Sequence, residues 1–167
     1  MLAQSVFALI MNQEPQNETQ KALLSIVLAD DDSDDSFLFN SVFEELTPAR
    51  KLTVVQNGNE LLSLLSHFVP DLLFLDLEMP YKNGLECLVE IRNNEALKHL
   101  PVVVFSSTTR PANIQTAYEM GADLFFIKPS VFSDLSNAVS TILKLDWSQP
   151  EVIKQQYAIN GRYTAFS

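Results

Sequence analysis

Two rhythms of apolar and polar positions alternate along the chain. Short, mainly apolar runs at 25–29 (SIVLA), 52–56 (LTVVQ), 72–75, 102–105 and 124–127 have the length and the β-branched or aromatic content of strands. Between them, apolar residues recur at the spacing of one helix face. The sets are Phe39, Val42, Phe43 and Leu46; Leu61, Leu64, Leu65 and Phe68; Leu85, Leu88 and Val89; Ile114, Ala117, Tyr118 and Gly121; and Leu135, Ala138, Val139 and Ile142. Turn residues punctuate the pattern at Asn57-Gly58 and Asn83-Gly84. Pro111 fits a first helical turn, where a missing N–H costs little, and Ser133 is a reasonable N-cap for the last of the five helices. Parallel strands need helical crossovers, so five strands alternating with five helices predict an α/β doubly wound parallel sheet.

The polar residues that follow the strands change the picture from a scaffold to a site. The first strand runs into Asp30, Asp31 and Asp32, the third into Asp76, the fourth into Ser106 and the fifth into Lys128. All of these are C-terminal strand ends, the edge where ligands bind in this architecture. Each residue alone has a plainer explanation: Asp76 as a turn former, the Asp31-Asp32 pair as a cap on a helix dipole, Lys128 as a surface lysine. Their coincidence on one edge favours function. Asp30, Asp31 and Asp76 would repel one another without a cation, and hard oxygen donors of this kind suit Mg²⁺. Carboxylates, a metal, one ammonium and one hydroxyl form a set suited to phosphoryl transfer.

The chain has 167 residues, enough for one domain with short extensions, so residues 1–21 are read as an arm and linker, 22–147 as the domain and 148–167 as an aromatic tail. A net charge of −10 argues against nucleic acid as a direct ligand and suits cations or basic protein surfaces. No stretch approaches the roughly 20 apolar residues of a membrane span. The apolar opening at 2–11 lacks the basic flank and cleavage site of a signal peptide, leaving an ordered arm, a flexible extension, or a natural start at Met11. The single cysteine, Cys87, fits a reducing, cytoplasmic compartment. Asp34 and Asp35 are assigned to the first turn of the first helix and not to the ligand set, and His67 and His99 to surface or structural positions.

Four stretches in order, IVLADDD at 26–32, FLDLEMPYKNGLE at 74–86, VVVFSS at 102–107 and FFIKPS at 125–130, resemble the receiver domain of two-component response regulators, and the stand-alone type in particular, similar to small phytochrome-associated response regulators. The resemblance implies a flavodoxin-like sheet with strand order 2-1-3-4-5 and assigns roles residue by residue. Asp76 becomes the phosphoacceptor; Asp30 and Asp31, with Asp76 and the backbone carbonyl of Glu78, would hold Mg²⁺. Ser106 would bond the phosphoryl group, Lys128 would be the invariant lysine that supplies the ammonium, followed by a cis bond to Pro129, and Phe125 would be the aromatic switch that packs inward as Ser106 moves. The partners implied are a sensor histidine kinase or histidine phosphotransfer protein.

Output would then pass through the face of the fourth helix, fifth strand and fifth helix, because about twenty residues after Trp147 leave no room for an output domain. Tyr157, Tyr163 and Phe166 are much aromatic surface to leave wet, so the tail is expected to fold back over the fifth helix or to pack across a homodimer. Two other functions compete. A haloacid-dehalogenase-type phosphatase would use Asp30-x-Asp32 and Ser106 but gives Asp76 no role. A phosphorylation-independent scaffold would not need the intact set.

Overall fold

In the computed structural model, which describes residues 25–48 and 50–167, the chain folds as a three-layer α/β unit. The strands are β1 (Ser25–Ala29), β2 (Lys51–Val55), β3 (Leu72–Leu75), β4 (Val102–Ser106) and β5 (Leu124–Ile127). The helices between and after them are α1 (Ser33–Leu46), α2 (Gly58–Leu65), α3 (Gly84–Asn93), α4 (Pro111–Glu119) and α5 (Phe132–Leu143). The sheet has the order β2-β1-β3-β4-β5 with every pair parallel, the flavodoxin-like arrangement expected from the sequence. The arm and linker placed at 1–21 lie outside the described residues.

Strand side chains alternate between two faces, and each face has its own core. Val27, Ala29, Leu73, Leu75, Val102, Val104 and Phe125 pack with the buried sides of α2, α3 and α4. Ile26, Leu28, Leu72, Phe74, Val103, Phe105, Leu124 and Phe126 pack with α1 and α5. Both faces of β3 and β4 are buried, which is why they read as unbroken apolar runs. On the second face Phe39, Phe74 and Phe105 meet edge to face, with centroids 4.8 to 6.4 Å apart, and Phe105 stacks on Phe126 at 5.1 Å.

Three local expectations are corrected. The buried face of α3 is Gly84, Cys87, Leu88 and Ile91, whereas Val89 is exposed and Leu85 only partly buried. In this phase the side-chain position of Gly84 falls on the Asp76 and Leu77 backbone, where only glycine fits. Phe68 lies beyond the end of α2 and is exposed. Ser133 is not an N-cap: the cap position is Val131, two residues earlier, with no side-chain cap bond, and Ser133 already lies inside the first turn.

The tail continues as α6 (Pro150–Gln156) and a two-residue hairpin, β6 (Ala158–Ile159) and β7 (Arg162–Tyr163). It folds back chiefly over α4 and the outer edge of β5, while Ile153 of α6 joins Trp147 in the second core.

Candidate functional site

The hydrogen-bond ladders of β1 and β3 each run one residue past the strand, and those residues are the two central acids. The Asp30 N–H donates to Val55 O at 3.0 Å, and the Asp76 N–H donates to Ala29 O at 2.9 Å. Asp30 is fully buried, Asp76 is 5% exposed, and Asp31 faces solvent. One carboxylate oxygen from each of the three lies within 4.8 Å of the others. Asp32 points elsewhere. Its carboxylate caps α1, accepting the N–H of Asp34 at 2.8 Å and of Asp35 at 3.1 Å, and these two bonds hold it below the usual carboxylate range.

Lys128 is the cation of the pocket. Its Nζ lies 2.8 Å from Asp30 Oδ2, 2.9 Å from Asp35 Oδ2 and 3.2 Å from Asp76 Oδ2, with the Phe105 ring beneath it at 5.1 Å. The Lys128 N–H donates to Ser106 O at 2.9 Å, tying the end of β5 to the end of β4. Burial works against the ammonium, but the carboxylates of Asp30, Asp35 and Asp76 outweigh it and hold its pKa above the lysine range. One ammonium cannot balance the cluster. Burial lifts Asp76 from 3.8 to about 6; Lys128 and the Glu78 N–H pull it down, and the Asp30 charge pushes it further up. Asp30 is likewise raised, by burial first, with Lys128 opposing.

The turn after Asp76 is held from below. Glu78 N–H donates to Asp76 Oδ1 at 3.3 Å, and Gly84 N–H donates to Leu77 O at 3.0 Å. Asn83 and Glu86 form a reciprocal capping box that starts α3. Gly84 has to be glycine here: a Cβ would stand 2.1 Å from Asp76 O and 2.8 Å from Leu77 Cα.

Ser106 is 1% exposed, and its hydroxyl oxygen accepts the Thr108 N–H at 3.3 Å. Phe125 is fully buried against the first core, and its N–H donates to the Tyr118 hydroxyl at 3.0 Å. The described residues contain no cis peptide bond, so the cis bond expected before Pro129 is corrected to trans, the isomer that X–Pro amides favour by about 0.5–1 kcal/mol.

The structure therefore brings Asp30, Asp31, Asp76 and Lys128 together and sets Ser106 on the adjoining strand end. Sequence reasoning missed Asp35. It was correctly placed in the first turn of α1, but its bond to Lys128 spans 93 positions along the chain, and no local pattern signals it.

The donor set fits Mg²⁺. It consists of carboxylate oxygens only, and buried Asp30 Oδ2, although ion-paired with Lys128, makes no hydrogen bond of normal angular geometry. A doubly wound parallel sheet with an acid triad and a lysine at its C-terminal edge defines a flavodoxin-like α/β protein with a candidate cation site. Comparison with known proteins narrows this. The response regulator receiver domain model matches residues 26–140, and the chain belongs to that family.

The response regulator Rcp1 of Synechocystis sp. is 30% identical over 124 residues, 70% of this chain and 84% of that protein. The crystal structure of its Mn(2+)-bound form, 29% identical, gives a TM-score of 0.65 over 71% of this chain and 91% of that one. The phosphorylated cyanobacterial phytochrome response regulator RcpA gives a TM-score of 0.70 at 29% identity, covering 77% of this chain and 96% of that one. A probable cyclic di-GMP phosphodiesterase of Vibrio cholerae is 29% identical over 129 residues, 77% of this chain, yet the chain spans only 29% of that protein's length. Receiver domains thus occur both as most of a chain and as a part of longer ones. No helix among the described residues is long and apolar enough to cross a membrane.

Proposed function

We propose that this chain is a phosphorylation-controlled switch of a two-component relay, acting in the cytoplasm, with Asp76 as phosphoacceptor. The observation that carries this reading is the pocket itself: three carboxylates within 4.8 Å of one another and an ammonium 3.2 Å from Asp76. An Asp76 oxygen attacks the phosphorus of a phosphohistidine on a sensor kinase or a histidine phosphotransfer protein. The P–O bond of an acyl phosphate forms as the P–N bond breaks, and the imidazole leaves and takes a proton. Lys128 meets the charge on the transferred oxygens. Asp30, Asp31, Asp76 and the Glu78 carbonyl would hold Mg²⁺, which when bound neutralises the cluster and the incoming phosphoryl charge. Ser106 bonds the phosphoryl group, and Phe125 responds to its movement.

The donor protein has an apolar rim to meet. Phe37, two residues after Asp35, is 73% exposed, and Val131 and Phe132, just past Lys128, are 51% and 41% exposed. Output passes through the surface of α4, β5 and α5.

Incubation with acetyl phosphate and Mg²⁺ followed by intact-mass measurement tests the reading. The wild type gains one phosphoryl group and Asp76→Asn does not. Loss of the adduct in Asp32→Asn with Asp76→Asn unaffected would point instead to a phosphatase, and no adduct at all to a scaffold. The engagement of Asp32 with the amides of α1 speaks against the phosphatase.

A further inference from the structure

β5 is the last strand of the main sheet, and its outer edge is filled by the end of this chain. The Phe166 N–H donates to Phe125 O at 2.7 Å, and the Ile127 N–H donates to Phe166 O at 3.1 Å, placing Phe166 beside Phe126 in a parallel bridge. The Phe166 ring meets Phe126 edge to face at 5.7 Å. Three residues earlier, Tyr163 stacks on Tyr118 of α4, with centroids 4.5 Å apart and planes 19° from parallel.

Tyr118 is the junction. Its hydroxyl accepts the Phe125 N–H at 3.0 Å and donates to Thr164 O at 3.1 Å. Lys154 donates to Tyr118 O at 2.8 Å and lies over the Tyr163 ring at 5.4 Å, while the Tyr163 N–H donates to Gln115 Oε1 at 3.1 Å. The segment 157–167 contains Arg162 and no acid, on a chain of net charge −10.

We propose that the edge formed by α4 and β5 is a docking surface for a partner's extended, non-acidic segment carrying two aromatic side chains three residues apart, and that residues 157–167 are its resident intramolecular competitor. Main-chain pairing with β5 supplies affinity, and the Tyr118 and Phe126 rings read the aromatic positions. A partner must displace the tail to bind. The tail also grips Phe125 and Ile127, directly before Lys128, so occupancy of this edge and phosphorylation of Asp76 are linked, each altering the other by the same factor; this last link rests on the phosphoacceptor reading above.

A fluorescent peptide of residues 157–167, YAINGRYTAFS, measures the surface by anisotropy on the full chain. Full-length Tyr163→Ala/Phe166→Ala, whose own tail competes poorly, should bind the peptide at least about tenfold more tightly than wild type. A peptide with the same two alanines should not bind. Phe166→Pro, which removes both the N–H given to Phe125 O and the ring against Phe126 while leaving Tyr163 in place, serves as a second variant if the double one unfolds. Equal binding by wild type and both variants, or binding by none, overturns the proposal. A wild type that sediments as a dimer and becomes monomeric in the double variant also overturns it, in favour of a tail exchanged between two copies.

Hydrogen exchange in acetyl phosphate and Mg²⁺ tests the link: the Phe166 and Ile127 amides should exchange faster once Asp76 carries its adduct. An adduct with unchanged exchange refutes the link. Absence of an adduct refutes the phosphoacceptor reading, and the peptide result still decides the surface.

Discussion

Replacing Asp76 by Asn should make the metal-free protein more stable. The carboxyl is 5% exposed, and its pKa rises from 3.8 to about 6 on folding even with Lys128 3.2 Å away. The folded chain therefore holds a proton that the unfolded chain releases between those two values. Stability falls as pH climbs through that window and levels off above about 6, the reverse of an ordinary salt-bridged aspartate. At 1.36 kcal/mol for each pKa unit, the penalty at pH 8 is about 3 kcal/mol. Asn keeps an oxygen for Lys128 and carries no charge, so it removes the penalty at little loss of packing.

For a chain of this size that corresponds to a rise in Tm of roughly 6–12 °C. The assay is thermal or urea unfolding of wild type and Asp76→Asn in EDTA, from pH 8 downward. The gap should be widest at pH 8, about halved near pH 5, and gone once both carboxyls are neutral. Mg²⁺ should narrow it, because a ligand at about one hundred times its Kd stabilises the wild type by about 2.7 kcal/mol. A variant no more stable than wild type at pH 8 in EDTA would refute the reasoning, as would a gap that grows on acidification.

Arg92 spreads its guanidinium over Gly121 O, Lys98 O, Leu100 O and Asp123 Oδ2, all within 2.8 to 3.2 Å, and Arg92→Ala leaves the buried Asp123 carboxylate without its counter-charge, held only by the Val102 N–H. Urea melts should show a loss of about 3–5 kcal/mol, and a loss below about 1 kcal/mol would be inconsistent with this role. Gly84→Ala drives a Cβ into Asp76 O and should cost about 1–3 kcal/mol and slow adduct formation at Asp76; leaving both unchanged would contradict the close approach. Asp35→Asn removes a competitor for Lys128, so the Asp76 carboxyl, followed by ¹³C NMR in EDTA, should titrate below the wild-type midpoint of about 6; an unmoved or higher midpoint would sink the idea.

The sheet was legible because β3 and β4 are buried on both faces, and such strands have no choice but to read as continuous apolar runs. The central acids were legible for a related reason: each is the first polar residue after a strand whose ladder continues into it. Less local features were hidden. The periodicity of Leu85, Leu88 and Val89 suggested one phase for α3, whereas the buried face is Gly84, Cys87, Leu88 and Ile91, the phase that turns the side-chain position of Gly84 onto the Asp76 and Leu77 backbone. Asp35 looked like one more first-turn acid until the fold brought Lys128 to it. The aromatic surplus of the tail suggested that it folds back, but over the fifth helix or across a homodimer, whereas it lies chiefly on α4 and the edge of β5, since its pairing with β5 depends on main-chain groups that carry no sequence signal.

That pairing also bears on solubility. LFFI at 124–127 combines high β-propensity with no charge and no proline, and an edge strand of that composition is a template for sheet growth between molecules. Covered by Phe166, it is a closed boundary of the sheet. Chains shortened before residue 166 would present the bare template to one another, and their first defect should be precipitation on concentration, ahead of any loss of secondary structure.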